Sequence, residues 1–169
     1  DPNGEGDGSQ LAGWCMSNGE GHGTHFAGEA YQRIELSENG LNCHIVPASD
    51  PVGEGTYNAA EFTPALIKDG EKLEDSFWTG EQPRACFGTG DQGVYMLIIE
   101  GRYPDEGIRG TSVNTCSDIL LSYGCRNALN MDGGSSAILW YDGEYVTQSS
   151  SSPLRYTGGR PLPNAWVYG

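Results

Sequence analysis

The sequence predicts an α+β fold: a mostly antiparallel or mixed β-sheet core with one principal helix over residues 112–123. Three observations carry that prediction. Turn formers are abundant, with 26 Gly and 9 Pro in 169 residues, as expected of many short strands joined by tight turns. Most apolar residues fall in short runs or alternations of about four to eight residues, the length of strands. A single stretch, Val113, Cys116, Ile119, Leu120 and Tyr123, has the three-and-four spacing that puts apolar side chains on one face of a helix.

Taken in order, residues 1–30 are glycine-rich and polar, with Trp14-Cys15-Met16 as the one apolar island. Tyr31–Leu36 alternates like a half-buried strand that ends at Glu38-Asn39-Gly40, and 41–46 reads as its return strand. The stretch from Pro47 to Ala60 reads as a loop. Asp69-Gly70, between Pro64–Ile67 and Glu71–Leu73, marks a type I′ hairpin. Arg84–Phe87 turns through Gly88–Gly93 into Val94–Ile99, a continuous apolar run expected at the centre of a sheet, buried on both faces. The helix follows, with Thr111 or Ser112 as cap and Gly124 as stop. Strands are expected before and after the glycine turn at 133–134, the second over Ala137–Tyr141. A hairpin turn at Asp142-Gly143 leads to Glu144–Thr147, residues 148–160 form a Ser-rich loop, and a last strand covers Asn164–Tyr168.

Length and composition set the outer bounds. At 169 residues the chain is read as one domain over 1–169, large enough for a real core. The net charge is −14, nine Lys and Arg against 23 acids, which argues against a nucleic-acid or anionic-membrane partner. No run of about 18 apolar residues is present to insert in a membrane. The opening Asp1-Pro2-Asn3-Gly4 reads like the middle of a loop, so the chain is taken as mature, trimmed or fragmentary. Cys15, Cys43, Cys86, Cys116 and Cys125 allow two disulfides and a leftover thiol, or five free thiols, and none forms a CxxC pair suited to zinc.

The stretch with most chemistry is Asn127–Ser136. An apolar run ends at Asn130, and Asp132, Gly133, Gly134, Ser135 and Ser136 follow in a turn. Successive glycines let backbone N–H groups converge on an anion, Asp132 adds a carboxylate at the rim, and the serines add rotatable donors. A plain Asp-Gly turn between strands has the same composition. A second cluster forms if Arg84 and Val94–Ile99 share a hairpin, because Arg84 then neighbours Glu100 and Arg102 at one sheet edge. Guanidinium groups grip phosphate through paired hydrogen bonds. They also form ordinary salt bridges, and acids are plentiful here.

Four segments in order resemble the phosphodiester glycosidase family. Asp1-Pro2-Asn3-Gly4-Glu5-Gly6 is similar to its glycine-rich loop, and Gln82-Pro83-Arg84 with Ile99-Glu100-Gly101-Arg102 resembles its "PR(T)…DGR" strands. Asn127–Ser136 resembles "NALNLDGGGSS", and Arg160-Pro161-Leu162-Pro163-Asn164-Ala165 the closing "RPVPNA". Three departures stand out. The family's "NGGFF" segment is absent, Glu100 replaces Asp, and two glycines stand where the family has three.

The resemblance implies an enzyme that hydrolyses the bond between a sugar's anomeric carbon and a phosphodiester oxygen, as in an N-acetylglucosamine-1-phosphodiester. Such a leaving group needs charge stabilisation more than protonation, a task for Arg84, Arg102, Arg160 and the amides of Gly133 and Gly134. A carboxylate should face the oxocarbenium-like carbon, with Asp132 first and Glu100 second. Asn130, Ser135, Ser136 and Asn164 would orient sugar hydroxyls or phosphate oxygens. The implied partner is a sugar-phosphate or glycan, the implied location secreted or cell-surface, and an upstream segment or second chain is expected to complete the domain.

No metal or other cofactor is expected. His22-Gly23-Thr24-His25 has HxxH spacing without a helix to face both rings to one ion. Asp1, Asn3, Glu5 and Asp7 alternate as in a calcium loop, but Ala12 stands at the bidentate position, which leaves calcium open. The rival class is a non-catalytic carbohydrate- or phosphate-binding module, or a structural fragment of a cell-surface polysaccharide-processing protein. For it, Trp78, Trp140, Tyr141 and Tyr145 would supply stacking surfaces.

Overall fold

The computed structural model describes residues 10–40, 42–150 and 159–168. Two five-stranded antiparallel sheets pack face to face, and one helix covers the outer face of the second, so the α+β expectation holds. The first sheet has the order β2-β1-β5-β3-β4, from β1 (Trp14–Ser17), β2 (Glu20–Gly23), β3 (Gln32–Leu36), β4 (Cys43–Pro47) and β5 (Asn58–Phe62). The second has the order β7-β6-β10-β8-β9, from β6 (Ala65–Lys68), β7 (Glu71–Lys72), β8 (Arg84–Gly90), β9 (Gly93–Ile99) and β10 (Cys125–Asn130). A separate two-stranded ribbon joins β11 (Trp140–Tyr141) to β12 (Glu144–Tyr145).

Period-two alternation builds two cores. Ile34, Leu36, Cys43 and Ile45 of the first sheet meet Ala65, Phe87 and Leu129 of the second between the sheets. On the far side of the second sheet, Leu66, Ile67, Cys86, Cys125 and Ala128 pack against Val113, Cys116 and Leu120 of helix α1 (Val113–Ser122). Each fully buried aliphatic chain in these layers contributes about 1.5–3 kcal/mol. Ser112 caps α1 by accepting a hydrogen bond from the Thr115 amide, and Gly124 follows the helix at φ 86°. The Asp69-Gly70 and Asp142-Gly143 turns have the left-handed angles of type I′ hairpins.

Several expectations are corrected. β9 is an edge strand, not a central one, and all its residues are half-buried; β10 is the middle strand of the sheet. Asn58–Phe62 is the middle strand of the first sheet, although the sequence reads as loop up to Ala60. Its inward Glu61 broke the apolar pattern. Glu61 is buried because Arg33, itself enclosed on β3, pairs with Glu61 and Glu35 and donates to the carbonyls of Ala48, Asp50 and Pro51. That network buries the second face of β3, which alternation had placed in solvent. The hairpin β1–β2, turned at Asn18-Gly19, lies in the stretch read as polar.

Tyr123 is exposed, because the helix ends one residue before it. The expected strand over 137–141 shrinks to Trp140–Tyr141, and Asn164–Tyr168 is not a strand. Pro161 and Pro163 lack amide donors for a ladder, and Trp166 instead stacks on Phe87 with ring centres 3.9 Å apart. All five cysteines are free.

Candidate active site

The site is built by register. Arg84 pairs with Ile99 across β8–β9, and Asn130 pairs with Cys86 across β10–β8, so three strand ends leave the second sheet at one edge. Beyond the ladders the segments stay together: the Met131 amide donates to the Ala85 carbonyl at 2.8 Å, and the Gly134 amide to the Pro83 carbonyl at 2.9 Å. A Cβ on Gly133 would sit 2.5 Å from the Pro83 oxygen, so this close approach requires glycine there. Gly134, at φ 56°, lies beneath Arg102, whose guanidinium nitrogens would be 3.2 Å from a Cβ built on it.

The charged groups gather around that edge. Asp132 Oδ2 accepts from Ser136 Oγ at 2.6 Å and from Arg160 Nη2 at 3.0 Å, and Arg160 also donates to Ser136 Oγ at 2.7 Å. The Asp132 side chain is 57% exposed, so a solute can reach its carboxylate. Arg102 is exposed and donates through Nε to Gln82 Oε1 at 2.9 Å. Glu100 accepts from the Gln148 amide, and Ser149 Oγ donates to the Ser135 carbonyl, which ties the chain beyond the β11–β12 ribbon to the same edge. The arrangement offers two accessible guanidinium groups beside a carboxylate and a hydroxyl.

Other predicted residues sit differently. Arg84 is buried: Nε donates to the Thr111 carbonyl, and Nη2 to those of Trp78 and Gly80. Burial lowers its pKa, yet an arginine remains charged at neutral pH. The Gly134 amide is already bonded to Pro83, which removes it from the set of anion donors. Asn130 is buried, with Nδ2 donating to the Thr63 carbonyl at 2.7 Å and Oδ1 without a partner. Asn164 is exposed and makes no hydrogen bond to this cluster among the described residues.

Gln82, Gln148 and Ser149 were not among the predicted site residues. Gln82 had a signal, its place two residues before Arg84; the other two had none, since only the ribbon brings them back.

Among the described residues, no three His, Cys, Asp or Glu side chains are grouped to hold a metal. His25 hydrogen-bonds Glu61 and stacks on Trp14, while His22 lies on exposed β2. The Asp1–Asp7 segment read as calcium-like or as the family's glycine-rich loop lies outside the described residues. No helix among the described residues is long and apolar enough to cross a membrane.

Comparison with known proteins bears on the family and the fold. The phosphodiester glycosidase family model matches residues 7–168. The catalytic domain of zebrafish N-acetylglucosamine-1-phosphodiester α-N-acetylglucosaminidase, auto-inhibited by its pro-peptide, is similar in fold with a TM-score of 0.64 at 16% identity. That match covers 90% of this chain and 56% of the zebrafish one, so the chain spans just over half of that protein's length. A hypothetical protein from Synechocystis matches with a TM-score of 0.44 and 19% identity, over 72% of this chain and 32% of its own. No curated protein matches the sequence. With nearly its whole length matched by the family model and three strand ends converging at the motif-bearing edge, the chain belongs to the phosphodiester glycosidase family.

Proposed function

We propose that the chain hydrolyses the bond between a sugar's anomeric carbon and a phosphodiester oxygen, with an N-acetylglucosamine-1-phosphodiester or a close relative as substrate. The observation that carries this reading is the meeting of Arg102, Arg160, Asp132 and Ser136 at one sheet edge. The departing phosphate monoester is a good anion, so two accessible guanidinium groups serve it better than an acid would. Asp132 is the group assigned to the anomeric carbon, as nucleophile or base, and Glu100 stands second. Ser136 holds the Asp132 carboxylate in position, and Arg84 acts as a positioning residue by fixing the loops at 78–80 and 111. Ser135, Asn164 and the Gly133 amide are assigned to orienting sugar hydroxyls or phosphate oxygens, and Asn130, buried with Nδ2 on the Thr63 carbonyl, to holding the end of β10 in place.

We infer further that additional polypeptide, from upstream or from a second chain, completes the domain. β9 supports this, being a long edge strand with Val94 and Met96 on one face and Tyr95, Leu97 and Ile99 on the other packed against the two cores. Apolar edges of this kind are normally covered. The adjoining groove of about 380 Å³, lined by β9, Ile119, Leu120 and Tyr123, contains none of the site residues. Secretion or display at the cell surface is the setting proposed for such a substrate.

A second reading has its own observation. Trp140, Tyr141 and Tyr145 are exposed on a ribbon whose two ends are tied to the site, as in a module that stacks on sugars without cleaving them. Incubation with a panel of sugar-1-phosphodiesters separates the two. Release of free sugar and phosphomonoester supports the glycosidase; saturable binding with no release over a long incubation supports the module.

A further inference from the structure

Arg160 is one of the two accessible guanidinium groups at the site, and little in its own segment holds it there. Among the described residues, none from 159 to 168 belongs to a strand, and none of their main-chain groups hydrogen-bonds another main-chain group. Two contacts stand in for a ladder. Trp166 stacks on Phe87, and Gly159 lies directly against Ser149. A Cβ built on Gly159 would sit 2.5 Å from Ser149 Oγ and 2.9 Å from both Ser149 Cβ and Ile138 Cδ1. The φ of Gly159 is outside the left-handed region, so the close approach is what calls for glycine.

Ser149 is itself held from two sides. It is buried, its carbonyl accepts from Tyr103 Oη, and its own Oγ donates to the Ser135 carbonyl at 2.9 Å. The next residue, Ser136, carries the hydroxyl that meets both Asp132 and Arg160. A line of contact therefore runs from Tyr103 through Ser149 and Gly159 to Arg160 and the Asp132 carboxylate. Of these residues, the proposed chemistry uses only the last two.

We propose that Tyr103, Ser149 and Gly159 are positioning residues that seat Arg160 against Asp132 for recognition of the substrate phosphate. The effect on turnover rests on the glycosidase reading; the seat does not. Arg160 commits Nε and Nη2 to Ser136 and Asp132, which leaves Nη1 without a partner among the described residues and turned to an incoming anion. That division of the guanidinium depends on where the main chain at 159 is placed. Displacing it by about 1 Å misdirects the fork, an error of the size that costs roughly 100-fold in rate.

The seat is read with phenylglyoxal, which modifies accessible arginines, on the 169-residue chain with and without inorganic phosphate. Adducts are followed residue by residue in peptide mass spectra. Tyr103→Phe removes one hydrogen bond and should speed labelling of Arg160 roughly 3- to 10-fold, and Gly159→Ala should do so at least as strongly. Arg126, exposed at the other end of β10, is the internal control and should not change. Phosphate should protect Arg160 in wild type and do so only at several-fold higher concentration in either variant. Ser149→Gly removes both Ser149 atoms that the new Cβ meets, so adding it to Gly159→Ala should restore part of the protection; a general loss of stability would not be repaired this way. With a sugar phosphodiester, Gly159→Ala should lower kcat/KM roughly 10- to 100-fold. Arg160 labelled and protected alike in wild type and both variants overturns the proposal. So does a wild-type Arg160 that phosphate fails to protect, or faster labelling in the variants with unchanged protection. A wild type that binds phosphate at Arg160 but cleaves no phosphodiester would retire the glycosidase reading alone, and labelling would still decide the seat.

Discussion

Arg84 and Arg102 look equivalent in the sequence, and the structure predicts that their removal has different consequences. Arg84 is buried and donates to three carbonyls, those of Thr111 at 3.0 Å, Trp78 at 3.2 Å and Gly80 at 2.9 Å. Each such charge-assisted bond is worth about 1.5–3 kcal/mol net. Trp78 and Gly80 are exposed, so water can replace the guanidinium there, and Arg84→Ala is expected to cost about 3–5 kcal/mol rather than the full sum. For a chain of this length that is a fall in Tm of roughly 6–20 °C. Arg102 is exposed and bonds only the Gln82 side chain among the hydrogen bonds described. Its φ of 68° is as strained for alanine as for arginine, so Arg102→Ala leaves the backbone cost unchanged and the melt within a few degrees of wild type. Its effect falls on turnover: kcat/KM for a sugar phosphodiester should drop about a hundredfold, as when a charge-stabilising donor is lost. Hydrolysis of a neutral aryl glycoside should drop much less. The assay pairs differential scanning fluorimetry with initial rates on both substrates from one preparation. An Arg84→Ala protein that melts like wild type while losing only phosphodiester turnover would refute the positioning role and return Arg84 to the substrate.

Three further outcomes are expected. Asp132→Asn keeps an acceptor for Ser136 and loses an ion pair whose partners are 35% and 57% exposed, worth less than about 1 kcal/mol, so it should melt normally; turnover should fall about 10²–10⁴-fold, and full activity would move Glu100 to first place. Gly133→Ala pushes a Cβ to 2.5 Å from the Pro83 oxygen at an ordinary φ of −96°, and should cost about 1–3 kcal/mol together with most activity. Gly143→Ala, at φ 89° with nothing near its Cβ, should cost about 1–2 kcal/mol and leave activity intact; equal activity losses in both would show that Gly133 is not special. Burial raises the Cys43 and Cys125 thiols from 9.0 to about 11. The folded state therefore holds protons that the unfolded chain releases, so stability should be level below pH 9 and fall between pH 9 and 11, by up to about 2–3 kcal/mol per thiol. Thiolate absorbance from these two residues in the folded protein below pH 9 would contradict it.

What could be read from the sequence was whatever depends on local geometry. The α1 cap and stop, the hairpins at Asp69-Gly70 and Asp142-Gly143, and the β8–β9 pairing that sets Arg84 beside Glu100–Arg102 all follow from residues close in the chain. Asn18-Gly19 carried an equally clear hairpin signal, obscured by the polar, glycine-rich stretch around it. Burial by distant partners was the part that could not be read. Arg33, Glu35 and Glu61 look like solvent-facing charges on any periodicity argument, and become interior only because the loop after Ala48 folds over them. The apolar run Val94–Ile99 has the composition of a central strand, and composition cannot say that β10, reached through a helix, inserts on the other side of β8 and leaves β9 at the edge. The same limit applies at the site. The Asp132–Ser136 turn announces an anion-binding loop, but whether each amide is free depends on distant chain: the carbonyl of Pro83, nearly fifty residues earlier, takes the Gly134 amide and withdraws it from the anion. Arg102 and Arg160 are thus the groups on which phosphate recognition should depend, and they join Asp132 at one sheet edge only after three separate strands have run their course.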